Sequence, residues 1–155
     1  MPVLPRLLAA AGLALAFGLV LSACGSTIAL APGLTARMDA AGAKLDTATA
    51  LGLINHLRTT RGAPELANDP ALEAAAQEAA NAYARSGKSP AKPDGASAIL
   101  TSAGYVTFAE TFSGWRSSTG DTNALSDSRM HRAGLAVTWS GSSEFGSYWV
   151  LLLAE

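Results

Sequence analysis

The sequence predicts an α+β fold, with helices in the N-terminal part and an antiparallel β-hairpin at the C-terminal end. Apolar residues recur at helical spacing between residues 51 and 85. From residue 134 onward the pattern changes to two β-rich runs, which a Ser-Gly-Ser-Ser stretch at residues 140–143 separates. Helices first and strands last, in one short chain, favour a single domain in which helices pack on a sheet.

The first 23 residues have the pattern of an export signal. Arg6 supplies one positive charge, and residues 7–20 are almost entirely Ala, Leu, Gly, Phe and Val. This run is shorter than the roughly 18–20 apolar residues that a membrane-spanning helix needs. Ser22 and Ala23 are small, as a signal peptidase requires beside the bond it cuts. The sequence therefore predicts cleavage that leaves Cys24 at the mature N terminus.

Cys24 is the only cysteine of the chain, so it cannot form an internal disulfide. Leu21 to Cys24 resembles the lipobox of bacterial lipoproteins, whose thiol receives a diacylglycerol with palmitate-type chains. The alternative is an ordinary secretory signal followed by an incidental cysteine. The resemblance implies a membrane as partner and the bacterial cell envelope as location. Neither Gly25 nor Ser26 is the aspartate of an inner-membrane retention signal, which favours the periplasmic face of the outer membrane if the host is Gram-negative.

The composition of the mature chain limits its number of domains and its expected partners. Removing 23 of 155 residues leaves 132, which is enough for one domain with its own core. Loss of Arg6 leaves 10 basic and 12 acidic side chains, a net charge of −2. There is no basic stripe and no cluster of arginines among aromatic residues, so nucleic acid is not an expected partner.

Three regions follow from the residue pattern. Residues 1–23 are the signal, residues 24–44 are predicted to be a flexible tether because they are rich in small residues, and residues 45–155 form the domain. Asp46 is the predicted N-cap of a first helix that Gly62 ends. Asp69 and Pro70 begin a second helix that runs to about residue 85. One face of this helix carries small residues that would let a neighbour approach closely.

The second half of the chain carries loop, helix and strand signals in turn. Residues 86–95 are a predicted loop, and residues 97–103 a short helical or irregular piece. A third helix is predicted over residues 107–117, and a polar loop over 118–127. Residues 134–139 and 147–153 form the hairpin, and the nearly continuous apolar run of the second strand predicts that both its faces are buried.

The order of these pieces resembles the CAP superfamily (cysteine-rich secretory, antigen 5 and pathogenesis-related proteins) in its short bacterial, SCP-like form. The resemblance covers about residues 46–154 and implies an α-β-α sandwich. It is carried by residues 53–58, Gly62 with Leu66, and residues 69–72, 75–77, 102–105, 112–116, 134–137 and 148–149.

The family's cavity often holds two histidines and two acids, and here that set is degenerate. The first histidine position corresponds to Ala79, and a Glu-Asn pair corresponds to Ile99 and Leu100. The other acid matches Glu110. The last histidine follows a Ser-Pro-Gly turn in the family, but Asp121 follows Ser-Thr-Gly here. The possible remnants of the cavity are therefore Glu110 and Asp121.

Neither a metal centre nor a catalytic set is expected. His56 and His131 are the only histidines, and each is interpreted as a surface or loop residue. Two carboxylates would hold Ca²⁺ or Mg²⁺ only with several further oxygens, so we expect no metal and no cofactor. No Gly-x-Ser-x-Gly elbow occurs. Asn55, Arg58 and Asp69 are interpreted as structural.

Phe108, Phe112 and Trp115 fall on one face of the third helix. They either pack in the core or line an apolar groove for a lipid or peptide, and core is the commoner role of such a stripe. The sequence thus favours a membrane-anchored, non-catalytic binding or structural module with a lipid, cell-wall or envelope-protein ligand. Two alternatives stay open, a hydrolase using Glu110 and Asp121 and a divalent-metal cavity protein.

Overall fold

The computed structural model describes residues 30–155, and Cys24 and the predicted signal lie outside the described residues. A four-stranded sheet has the order β1-β3-β4-β2, with β3 antiparallel to β4, β4 antiparallel to β2, and β1 parallel to β3. The elements along the chain are α1 (Pro32–Thr35), α2 (Thr47–Thr60), β1 (Ala67–Asn68), α3 (Pro70–Ser86), β2 (Ala98–Ala103), α4 (Phe108–Ser117), α5 (Thr119–Leu125), β3 (Arg132–Trp139) and β4 (Ser147–Ala154).

Helices cover both faces of the sheet, so the predicted α-β-α sandwich is confirmed. On one face, side chains of β3 and β4 such as Leu135 and Trp149 pack with α2, α4 and α5. On the other face, Ala136 and Val150 pack against α3. β4 lies between β3 and β2, and all eight of its residues are buried. This confirms the prediction of a strand buried on both faces, as its apolar run requires.

The predicted helix starts are confirmed by their capping contacts. The Asp46 carboxylate accepts from the Thr49 backbone N–H at 2.9 Å and begins α2. The Asp69 carboxylate accepts from Ala71 N–H at 2.8 Å, and Pro70 stands at the first position of α3. Gly87 ends α3 in the left-handed region with φ 66°, which favours glycine. Local sequence therefore determines where these two helices begin.

Three predictions for individual segments were wrong. Residues 98–103 form β2, an edge strand, rather than a helical or irregular piece. The predicted polar loop at 118–127 contains α5, which the Ser118 hydroxyl caps by accepting from Asp121 N–H. The predicted tether contains α1, and Leu34 and Met38 are buried in the core. The domain therefore begins near residue 32 instead of residue 45.

Two polar side chains of α2 fix the helix to distant backbone. Asn55 donates to the Leu66 carbonyl at 3.0 Å and accepts from the Leu66 N–H at 2.8 Å. Arg58 is fully buried and reaches the segment between α5 and β3. Their predicted structural role, and that of Asp69 as a cap, is confirmed. These contacts replace water for polar groups that burial would otherwise leave without partners.

The helix α3 lies unusually close to β3. Ala76, Ala80 and Ala84 are buried on the face that meets the sheet. At Gly134 in β3, an added Cβ would lie 2.1 Å from the Leu72 carbonyl carbon. The predicted close approach at the small-residue face is confirmed, and it depends on the absence of a side chain at one position of the strand.

Candidate functional site

The carboxylate of Glu110 caps a helix. Its Oε2 accepts from the backbone N–H of Val106 at 3.0 Å and of Thr107 at 2.9 Å, while the Thr107 hydroxyl accepts from the Glu110 N–H at 3.3 Å. This reciprocal arrangement is a capping box at the start of α4. The hydrogen bonds from Thr107 and Val106 lower the pKa of Glu110 below its ordinary value near 4.5. The Glu110 carboxylate is therefore ionised and stabilises the start of α4.

Replacing Glu110 with glutamine isolates the role of this charge, because the amide oxygen can still accept the two N–H bonds. A carboxylate at a helix N terminus contributes about 0.3–1 kcal/mol. Since the folded pKa lies below the unfolded one, this stabilisation is present above about pH 4.5 and is lost as pH falls through the folded value. We expect Glu110→Gln to melt below the wild type at pH 7, with the two melting temperatures converging in acid. Thermal unfolding at several pH values measures this.

A matched control is Glu78→Gln, since Glu78 is exposed on α3 and caps nothing. We expect it to melt as the wild type does throughout the same pH series. If the difference in melting temperature between Glu110→Gln and the wild type stayed constant down to about pH 2, it would contradict the assignment of the charge to the helix cap.

Asp121 stands at the other end of α4 from Glu110. It lies in the first turn of α5, immediately after α4 ends, and its N–H donates to the Ser118 hydroxyl. The eight residues from Glu110 to Ser118 rise about 12 Å along a helix axis. Glu110 is exposed and Asp121 half-buried, and neither lines the concavity beside the β3–β4 turn, the one beside Ala41 or the one beside Lys44. The two possible cavity remnants therefore stand in different helices, Glu110 in the first turn of α4 and Asp121 in the first turn of α5.

The positions that correspond to the rest of the family's polar set lie on both sides of the sheet. Ala79 and Ile99 pack on the α3 side of the sheet, whereas Leu100 is buried on the opposite side. Adjacent strand residues point to opposite faces, which separates Ile99 from Leu100. With apolar residues at all three positions, this part of the molecule is filled by packing instead of by polar side chains.

The three aromatic side chains of α4 pack in the core, the role that the sequence favoured, and do not line an open groove. Phe108, Phe112 and Trp115 are 1%, 4% and 2% exposed. Their rings form one cluster: Phe108 lies 6.0 Å from Phe112 and 6.2 Å from Trp115, between ring centroids. The Trp115 indole N–H donates to the Thr101 carbonyl at 3.2 Å, which satisfies its polar edge. These rings attach α4 to the sheet and leave no space for a ligand.

The two histidines are exposed, His56 on α2 and His131 just before β3. Within residues 30–155, no group of three or more His, Cys, Asp or Glu side chains is placed to hold a metal ion. The same residues contain no helix long and apolar enough to cross a bilayer.

An open cleft of about 820 Å³ lies between the C-terminal half of α3 and the β3–β4 turn, and sequence reasoning missed it. Its only sequence signal was the run of small polar residues at 140–143. The lining is mostly polar and includes two opposite charges: Asn81, Ala84, Arg85, Ser86, Gly87, Thr138, Trp139, Ser140, Ser142, Ser143, Glu144 and Tyr148.

The floor of this cleft is held by side-chain contacts between α3 and the hairpin. The Thr138 hydroxyl donates to the side-chain Oδ1 of Asn81 at 2.7 Å, and the Gln77 side-chain amide donates to the Thr138 hydroxyl at 2.8 Å. Tyr83 packs edge-on against Tyr148, with ring centroids 4.9 Å apart, and burial raises the pKa of Tyr83. Asn81, Thr138 and Tyr148 thus line the cleft, while Gln77 and Tyr83 contact them from outside it.

Comparison with known proteins gives the fold family. No sequence among curated proteins matches this chain. Among solved structures, the protein MpPR-1i aligns with a TM-score of 0.58 and 18% identity, covering 69% of this chain and 88% of that one. An outer surface protein of Borrelia burgdorferi aligns with a TM-score of 0.59 and 15% identity, covering 71% of this chain and 92% of that one.

A third similar structure is an extracellular protein of Bacillus anthracis that contains an SCP domain. It aligns with a TM-score of 0.57 and 14% identity, over 70% of this chain and 40% of that one. The sequence profile of the CAP family, described as the cysteine-rich secretory protein family, matches residues 51–153. That range runs from α2 to β4 and contains most of both core clusters. This chain therefore belongs to the CAP family.

Proposed function

We propose that this protein is a membrane-anchored CAP-domain lipoprotein, which acts without catalysis as a binding or structural module at the bacterial cell envelope. The observation that carries the proposal is the use of Glu110 as a helix cap, away from Asp121. The family scaffold is present, and catalysis by its two remaining acids would need them to work as a cooperating acid and base, a role that the helix cap at Glu110 does not favour. Such a pair acts on one bond from positions about 5–10 Å apart.

The anchor is supported by the sequence before the domain. A signal that ends at Ala23 is followed by the only cysteine of the chain. Two acyl chains hold a protein stably on a membrane, which a single chain does not. Of the similar structures, the Borrelia protein is named an outer surface protein and the Bacillus protein an extracellular one. An envelope location for this chain agrees with both.

The binding role is supported by the cleft between α3 and the hairpin turn. Its walls offer hydroxyl groups, the Arg85 guanidinium and the Glu144 carboxylate, and its volume of about 820 Å³ admits a ligand of moderate size. A lipid headgroup, cell-wall material or another envelope protein would each find hydrogen-bonding partners there. A hydrolase or a metal protein would need functional groups that converge, and the geometry around Glu110 and Asp121 does not favour either.

The anchor is tested by replacing Cys24 with serine in the full chain. Without the thiol, no diacylglycerol can be attached, so we expect loss of fatty-acid labelling and release of the protein from the membrane fraction. Metabolic labelling and fractionation measure both effects. Ser26→Ala is the matched control and should keep the label and the location. A Cys24→Ser protein that still pellets with washed membranes would show a second anchor and contradict the proposal.

A further inference from the structure

Three of the four large apolar side chains exposed within residues 30–155 lie at one end of the sheet, and the fourth, Leu30, precedes α1. The four are Leu30, Tyr105, Trp139 and Phe145, which are 50%, 41%, 39% and 46% exposed. The three rings lie where β2 has ended and where β3 turns into β4. Apolar residues scattered singly over a surface are ordinary, whereas a gathered set marks an interaction surface. We call Tyr105, Trp139 and Phe145 the aromatic end.

Backbone contacts around Ser147 hold these three rings near one another. Trp139 pairs with Ser147 in the β3–β4 ladder. Gly104, which precedes Tyr105, donates its N–H to the Ser147 carbonyl at 2.9 Å. A Cβ added at Gly104 would lie only 3.8 Å from the Phe145 ring. The three residues of the aromatic end are therefore anchored at neighbouring backbone positions around Ser147.

The chain that comes from Cys24 is attached to this same end. Met38 is buried, donates its N–H to the Val106 carbonyl at 2.8 Å, and accepts from the Ser147 hydroxyl at 3.2 Å. Pro32, the first residue of α1, comes eight positions after Cys24, so seven residues lie between them. In any conformation this connection spans at most about 29 Å. An acyl group on Cys24 would therefore keep the domain within one domain diameter of the bilayer.

We propose that the aromatic end docks on the surface of the bilayer that holds the acylated Cys24, with Trp139, Tyr105 and Phe145 among the lipid headgroups. The inference rests on the proposed function, because the acyl anchor brings the domain to the bilayer. Tryptophan and tyrosine suit the interface, since each has an apolar ring and a polar group that stays hydrated.

Electrostatic attraction to anionic lipids does not account for such docking, so we attribute it to the three aromatic rings. The mature chain has a net charge of −2, and its sequence has no polybasic run that would attract anionic lipids. Docking would orient the domain so that the long axis of β4 points away from the membrane. Because Trp139 also lines the polar cleft, docking places the cleft mouth close to the headgroups.

The tryptophans of the protein make the docking measurable. Trp115 and Trp149 are 2% and 0% exposed, so Trp139 alone among the three can meet a lipid-borne quencher. Acylated full-length mature protein, purified from membranes, is reconstituted into phosphatidylethanolamine and phosphatidylglycerol vesicles with or without brominated phosphatidylcholine. We expect brominated lipid to reduce emission by about a third, one tryptophan in three.

Two variants assign the quenching. Trp139→Phe keeps a ring at the surface but should lose the quenching almost completely while the protein still floats with the vesicles. The double variant Tyr105→Ser with Phe145→Ser keeps Trp139 and should show quenching at least about twofold weaker. Both change exposed side chains, and unaltered melting temperatures establish that the fold is retained.

The possible results distinguish failure of membrane docking from failure of the proposed acyl anchor. Equal emission with and without brominated lipid, in protein that floats with the vesicles, overturns docking and leaves the anchor intact. Protein that carries no acyl group and does not float overturns the proposed function. Protection of Trp139 from aqueous iodide by soluble peptidoglycan fragments, without quenching by brominated lipid, overturns membrane docking and assigns the surface to a glycan.

Discussion

Replacing Arg58 with methionine is expected to destabilise the protein severely. The guanidinium is fully buried and donates to the carbonyl oxygens of Pro64, Leu125, Asp127 and Met130 at 2.7, 2.7, 3.1 and 2.7 Å. Methionine fills similar space without donating. Each buried acceptor left without a partner costs about 1–3 kcal/mol, so we expect a loss of about 4 kcal/mol or more.

The charge of Arg58 also has a specific place. Leu125 is the last residue of α5, whose C-terminal carbonyls carry partial negative charge that a cation stabilises. Burial lowers the pKa of the guanidinium and the Asp127 carboxylate opposes this, and arginine stays charged in proteins. Arg58→Lys should therefore recover only part of the loss, because one ammonium cannot reach all four oxygens.

Urea unfolding followed by fluorescence of the buried Trp115 and Trp149 measures the effect. Arg61→Met is the matched control, since Arg61 follows the same helix but is exposed, and it should change stability by less than about 0.5 kcal/mol. An Arg58→Met protein as stable as the Arg61→Met protein would show that the four hydrogen bonds are not what holds α5 in place.

Replacing Gly134 with alanine is expected to have an effect almost as large. The new Cβ would lie 2.1, 2.2 and 2.4 Å from the Leu72 carbonyl carbon, Glu73 nitrogen and Leu72 oxygen. These are backbone atoms of the first turn of α3, so no side-chain rotation relieves the overlap. Either α3 or β3 must move, and overpacking of this kind costs about 3 kcal/mol or more.

Gly52→Ala is the control for Gly134→Ala, and we expect it to change stability in the opposite direction. Gly52 lies on the exposed side of α2 and an added Cβ would meet nothing within 4 Å. Alanine there should raise stability by about 0.5–1 kcal/mol, because glycine is the poorer helix former. Urea midpoints of the two variants should move in opposite directions. An unchanged midpoint for Gly134→Ala would contradict the close helix–strand approach.

The parts of the fold that local chemistry specifies could be predicted from the sequence. Asp46 and Asp69 predicted the starts of α2 and α3 because each carboxylate binds an N–H only two or three residues away. The hairpin was predicted because its strands are adjacent in sequence and β4 is apolar along nearly its whole length. In each case the contact that stabilises the element lies within the same short segment or its neighbour.

The elements that were missed depend on distant contacts. α5 is polar and short, and its last carbonyl is bound by Arg58, 67 residues away. β2 mixes small residues with Ile99 and Leu100, and it becomes a strand by pairing with β4. The first packed residues resemble a linker, yet Met38 binds Val106 and Ser147. No local pattern contains these partners.

For the candidate site too, features of single positions could be predicted from the sequence, whereas features formed by distant segments could not. The absence of a polar group at Ala79 and at Leu100 is visible at single positions of the sequence. The cleft could not be predicted, because residues from α3 and from the β3–β4 turn form it only after the chain folds. The shift of the domain start from residue 45 to about residue 32 leaves a shorter connection to Cys24, which would bring the domain nearer to the membrane.

Native mass spectrometry of the protein, released gently from its own envelope, decides whether it is an acylated binding module. We expect a chain that begins at Cys24 with covalent acyl groups and carries a noncovalent ligand, which is lost on denaturation. A chain without acyl groups would contradict the anchor. An acylated chain with no bound lipid, glycan or protein would contradict the binding module.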